Sequence, residues 1–117
     1  MTEHYHDPSD LRYGANLRRA APDTFAALSA FDDQALRGSE KLIPRKYTEL
    51  MALAVALTTQ CVYCIDAHVS DAKKEGATEA EVAETVFIAA ALRAGGAITH
   101  GMMALKRFAE APAAPTP

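Results

Sequence analysis

Apolar residues recur at three- and four-residue intervals along most of the chain and nowhere alternate over the length of a strand, a period that predicts helices throughout. A first short helix is predicted over Asp10 to Ala20, with Ser9 or Asp10 as its cap. Pro22 fits the first turn of a second helix, whose apolar side carries Phe25, Leu28, Phe31 and Leu36 and which stops at Gly38. Residues 39–43 form a connector with Leu42-Ile43 as a hydrophobic anchor, and Pro44 opens a third helix rich in Leu50, Met51, Ala54 and Val55. Thr58, Thr59 and Gln60 interrupt its pattern, so a fourth helix starts near Cys61 and ends at Gly76. Thr78 and Glu81 have the spacing of a capping box and begin a fifth helix. From Val82 to Ala94 that helix is apolar on nearly every side, which predicts burial against another subunit. Gly95-Gly96 reads as a sharp junction, and a last helix runs from Ala97 to Ala109. The expected architecture is all-α, with about six helices.

The ends are different in kind. Residues 1–9 are polar and read as a loose arm, its His4 and His6 solvated; residues 110–117 are too proline-rich to pack and are expected to be disordered. Residues 10–109 then make one domain. Half of the 117 residues are hydrophobic, tryptophan is absent and alanine is abundant, which favours closely packed helices. A formal net charge of −3 argues against a nucleic-acid surface, which needs a basic patch. Neither a secretory signal nor an apolar run of about 20 residues is apparent, so no membrane partner is expected and the predicted location is cytoplasmic.

The chemistry concentrates between Gln60 and His68. Cys61 and Cys64 are the protein's two cysteines, about one helical turn apart, and His68 follows Cys64 at the i, i+4 spacing. At a helix start, unpaired backbone N–H groups and the helix dipole stabilise a thiolate. Haem attachment fails, because Ile65 stands where histidine must follow the second cysteine. Zinc needs four ligands; Cys61, Cys64 and His68 with Glu49 or His100 reach that number, without the usual second close-spaced pair. Inert core cysteines and a redox dithiol complete the alternatives. The dithiol combines a helix start, a second sulfur and an imidazole one turn on, and a reducing compartment favours a working pair over a permanent bridge. Glu49 lies twelve residues before Cys61, amid Leu50, Met51 and Leu53, where a carboxylate needs a partner. A short turn between the third and fourth helices lets it point at the dithiol.

Glu49, the Cys61-x-x-Cys64 pair and His68 after three more residues make an E-x11-C-x2-C-x3-H pattern that resembles the AhpD-like branch of the carboxymuconolactone decarboxylase superfamily. The resemblance spans roughly Leu42 to Phe108. It implies an all-helical fold, assembly as a homo-oligomer (trimer or hexamer), and reduction of hydroperoxides by a dithiol–disulfide cycle that calls for no cofactor. Cys61 and Cys64 become the redox pair, Glu49 and His68 the proton relay, and a thiol or dithiol protein the reductant. The pattern departs at Tyr63, where the family's well-studied member has a second histidine; tyrosine can hydrogen-bond but is no base near neutral pH. Tyr63 and His100 are candidate pocket residues. A lactone decarboxylase-like lyase working through His68 and Glu49 leaves the cysteines idle; a redox-sensing or zinc-holding oligomer is the non-enzymatic alternative.

Overall fold

Five α-helices follow one 3-10 segment, and no strand occurs among the described residues. The computed structural model describes residues 6–116; His4, with most of the predicted arm, and the last residue of the tail lie outside that span. The helices are α1 (Gly14–Ala20), α2 (Pro22–Arg37), α3 (Arg45–Thr59), α4 (Val62–Lys74) and α5 (Glu79–Glu110).

The first predicted helix is split. Residues Pro8–Tyr13 wind as a 3-10 helix before α1 begins. Asp7, not Ser9 or Asp10, is the cap: its Oδ1 accepts the Ser9 N–H at 2.9 Å, while Asp10 Oδ2 accepts the Asp7 N–H at 3.1 Å. Pro22 occupies the first turn of α2, as its fixed φ favours. Gly38 ends α2 by close approach rather than by a left-handed turn; a Cβ there would sit 2.7 Å from the Gln34 carbonyl oxygen. Pro44 caps α3 from outside, its carbonyl accepting the N–H of Tyr47 and of Thr48.

Helix α3 runs through Thr58 and Thr59, two residues past the expected break. Both hydroxyls donate back to the carbonyl of Val55, so these residues find partners within the helix. The chain turns only at Gln60, which adopts a left-handed conformation (φ 57°). Gly76, at φ 90°, ends α4, and the Thr78–Glu81 capping box starts α5 as read from the sequence.

The clearest correction is α5. Gly95 and Gly96 lie inside one continuous 32-residue helix. A glycine costs about 1 kcal/mol relative to alanine in a helix interior, which weakens a helix without ending it. Thr99 Oγ1 and His100 Nδ1 bond back to carbonyls of the two glycines across this stretch. By length and composition alone, the fused helix is long and apolar enough to cross a bilayer. Within this chain it packs along α3, and Arg93, in mid-helix, donates to the Thr58 carbonyl.

The core lies between α3, α4 and α5. Leu50, Leu53 and Ala56 of α3 meet Ala72 of α4 and Ala89 of α5. Only two of these five buried apolar residues are larger than alanine, a small core for a chain of this length. Helix α2 buries nothing in its 16 residues. Leu42, the predicted anchor, is 98% exposed. The radius of gyration is 20.5 Å, against about 13 Å for a self-contained domain near this size. A single chain therefore leaves most of its apolar faces uncovered.

Candidate functional site

The apolar stripe of α3 explains where Glu49 sits. Glu49, Leu53 and Ala56 follow the i, i+4, i+7 spacing of one helix face, and that face is pressed against α4. Glu49 is 0% exposed and Leu53 1%. A buried carboxylate costs several kcal/mol unless it is paired and hydrogen-bonded, and both its oxygens are engaged. Arg45, one turn earlier, donates from Nε to Oε1 at 2.6 Å. His68, from α4, meets Oε2 through Nδ1 at 2.6 Å. Burial pushes the Glu49 carboxyl up, but the hydrogen bonds and charges of His68 and Arg45 outweigh it and hold the group below its ordinary value. An ionised carboxylate only accepts hydrogen bonds, so the proton of the shared bond belongs on Nδ1. Nε2 of His68 is then the nitrogen left for exchange with a reactant.

The Cys61–Cys64 segment forms where α3 turns into α4. After Gln60 the Cys61 N–H returns to the Ala56 carbonyl at 3.1 Å. Cys61 then caps α4, its Sγ accepting the Cys64 N–H at 3.2 Å. The two cysteines are joined as a disulfide, with Cα atoms 5.2 Å apart. One sulfur thus lies at the open N-terminus of a helix, where N–H groups favour negative charge. Both cysteines and His68 are half-buried. His68 shares a helix face with Cys64 by spacing; among the described residues no hydrogen bond joins it to either sulfur.

Two residues that the sequence reading did not single out belong here. Arg45 is legible only as a helix-start cation until Glu49 is seen to be buried; the i, i+4 spacing between them was the available signal. Asp71 is half-buried and brings a carboxylate oxygen within 4.8 Å of ligand atoms of Glu49 and His68. It follows His68 by three residues, on the same face. These three groups make a poor cation site, because Arg45 and His68 already occupy both Glu49 oxygens. Of the four-ligand zinc set, Glu49 has both oxygens engaged and His100 bonds a carbonyl of its own helix.

Tyr63 and His100 do not join the Glu49–His68 pair within one chain. Tyr63 faces the other side of α4 and donates its hydroxyl to Asp10 Oδ2 at 2.5 Å. His100 is exposed on α5 and bonds the Gly96 carbonyl of its own helix at 2.9 Å.

Comparison with known proteins places the chain in a family. The chain is 41% identical over 96 residues to "Uncharacterized protein 4 in cox locus" of Paracoccus denitrificans, covering 80% of this chain and 77% of that one. It is 42% identical over 92 residues to an "Uncharacterized protein" of Haemophilus influenzae, covering 79% of this chain and 80% of the relative. The sequence profile of the Carboxymuconolactone decarboxylase family matches residues 22–107, from the first turn of α2 into the last turn of α5. The matched span takes in Arg45, Glu49, the cysteine pair and His68 together. On that match and on the helical fold around these residues, the chain belongs to the carboxymuconolactone decarboxylase family.

Proposed function

We propose that this protein is a thiol-dependent oxidoreductase of the AhpD-like kind, reducing alkyl hydroperoxides through Cys61 and Cys64. The observation that carries the reading is the buried Glu49–His68 hydrogen bond within one helix of a cysteine pair that caps α4. In the reduced protein, Cys64 is the peroxide-facing thiol, because it precedes His68 by one helical turn on the same face. Its thiolate attacks the distal oxygen of the hydroperoxide; the O–O bond breaks and the alcohol leaves with a proton supplied through His68. Cys64 becomes a sulfenic acid. The Cys61 thiol condenses with it, water leaves and the disulfide closes. A dithiol protein then reduces the bridge by exchange, giving up two electrons and two protons and departing as its own disulfide. Glu49 keeps His68 oriented and balances its charge while the proton is in transit. A lyase using the same Glu49 and His68 gives the cysteines no task.

The decisive test is rapid mixing of the reduced protein with cumene hydroperoxide and t-butyl hydroperoxide, with thiols counted as alcohol forms. Two thiols lost per alcohol is the expected result. Cys61→Ser and Cys64→Ser each abolish turnover with a dithiol donor; unchanged rates in both variants end the peroxidase reading. A pair that must be reset after every turnover fits a reducing compartment such as the cytoplasm.

The reading includes a homo-oligomer, a trimer or a hexamer. Phe87 is 74% exposed and Phe108 82% exposed in the single chain. Helix α2 buries none of the residues of its apolar side. Apolar faces of this extent mark contact surfaces, and a second copy covers like with like.

A further inference from the structure

We propose that Tyr63 and Asp10 form a latch that positions the Cys61–Cys64 turn and sets its redox poise in favour of the disulfide. The inference rests on the pair being redox-active, and it concerns the face of α4 away from His68. Cys61, Cys64 and His68 share one side of the helix by spacing, whereas Val62, Tyr63 and Asp66 share the other.

On that other side lies the 3-10 segment. Tyr63 Oη donates to Asp10 Oδ2 at 2.5 Å, across 53 residues of sequence. The same oxygen accepts the Asp7 N–H, so Asp10 both closes the segment's own capping box and holds Tyr63. The His6 ring lies 5.7 Å from the Tyr63 ring. Pro8 and Leu11 face Val62 and Asp66 across a cavity of about 140 Å³. The segment buries no residue of its own. Among the described residues, the Tyr63–Asp10 bond is the one side-chain hydrogen bond that ties it to the rest of the chain. Such a bond to a carboxylate is stronger than one between neutral groups.

Tyr63 stands between the two cysteines. While the disulfide is closed, the ring through residues 61–64 restricts the backbone that carries Tyr63. Reduction by two glutathione molecules adds two electrons and two protons, opens that ring and leaves glutathione disulfide. The backbone at Tyr63 is then restrained by the helix alone, and the Tyr63–Asp10 bond is made from a looser base. Coupling between two equilibria is reciprocal: whatever the closed ring adds to docking of the segment, the docked segment adds to the closed ring. Tyr63 and Asp10 are positioning residues in this scheme and touch no reactant.

The test equilibrates the full chain in glutathione buffers and measures the dithiol fraction by alkylation and mass. Tyr63→Phe and Asp10→Asn are expected to shift the equilibrium three- to tenfold towards the dithiol, where tenfold is about 30 mV for a two-electron couple. Tyr13→Phe, an exposed tyrosine of the same segment, is expected to leave it unchanged. In the wild type, amide exchange of residues 10–13 is faster after reduction, and in Tyr63→Phe this difference disappears. A Tyr63→Phe equilibrium that coincides with the wild type overturns the latch. If that variant does not fold, Asp10→Asn decides on the same criterion, and equal exchange in both redox states of the wild type also overturns it. A measurable poise without peroxide turnover sinks the peroxidase reading alone; turnover with an unchanged Tyr63→Phe poise sinks the latch alone. A pair that cannot be reduced and reoxidised reversibly sinks both.

Discussion

Glu49 and His68, on different helices and 19 residues apart in sequence, share one 2.6 Å hydrogen bond across the α3–α4 hairpin. The glutamate is fully buried and the imidazole half-buried, so the hydrogen bond is stronger than it would be in open water. It makes the imidazole a directed base, with Nδ1 occupied and Nε2 free.

That arrangement predicts how the thiols titrate. In the reduced protein, His68→Ala and Glu49→Gln are expected to raise the pH at which the reactive cysteine alkylates, by about one unit, the ordinary size of such perturbations. Peroxide turnover falls further, by about a hundredfold or more in His68→Ala, since positioned acid–base groups contribute on that scale. Iodoacetamide rates against pH give the first number and stopped-flow the second. Superimposable alkylation profiles for both variants and the wild type would remove His68 and Glu49 from the relay.

Arg45 predicts a split between stability and chemistry. Its guanidinium engages Glu49 Oε1 at 2.6 Å, leaving Oε2 for His68. Arg45→Met strips a buried carboxylate of one partner and is expected to lower stability by about 1–3 kcal/mol, seen as an earlier denaturant midpoint at constant m-value. Arg45→Lys recovers part of the loss, because one donor rather than a fork is in use. An unchanged midpoint in Arg45→Met means that water replaces the guanidinium at no cost.

Acid stability follows from the direction of the Glu49 shift. Its folded carboxyl is held below the ordinary value of 4.5, so on acidification the unfolded chain takes up this proton first. The group's contribution is therefore complete above pH 4.5 and is lost as pH falls through the lower folded value. Wild-type stability is expected to fall more steeply below that pH than that of Glu49→Gln, which has no carboxyl to protonate. Urea midpoints at half-unit steps from pH 6 to pH 3 give the comparison, and parallel curves contradict it.

The Glu49–His68 pair was legible in the sequence because its parts are local. Glu49 falls on the buried stripe of α3, and His68 follows Cys64 by one turn; a short loop alone was needed to bring the two helices together. Gln60 supplies that loop with one left-handed residue. Arg45 and Asp71 escaped notice for the opposite reason. As charged residues in a first turn and a late turn they look solvated until the packing of Glu49 is known. The Gly95-Gly96 stop failed because propensity is a weak term in a helix with a strong capping box and long apolar faces. The Tyr63–Asp10 bond spans 53 residues, and no periodicity signals a contact of that separation. The Leu42 anchor failed because the apolar surface that the pattern promised is not found within one chain.

That missing surface carries the last prediction. A 12.5 kDa chain with so small a core has little apolar burial to set against an entropy cost on the order of 100 kcal/mol. In the proposed homo-oligomer a neighbour covers the exposed side chains on α2 and α5, and each large one contributes about 1.5–3 kcal/mol when covered. Light scattering on the eluting protein is expected to give three or six times the chain mass. The thermal midpoint then rises with protein concentration, because assembly and folding are linked. Phe87→Asp and Leu92→Asp place charges on the exposed apolar side of α5 and are expected to give smaller species that unfold without a sharp transition. Two variants with wild-type mass and midpoint move the interface off this part of α5. A wild type that elutes at 12.5 kDa and melts sharply at one temperature over a hundredfold range of concentration means that the chain closes its core alone, and the open arrangement of α2 and α5 is then not its state in solution.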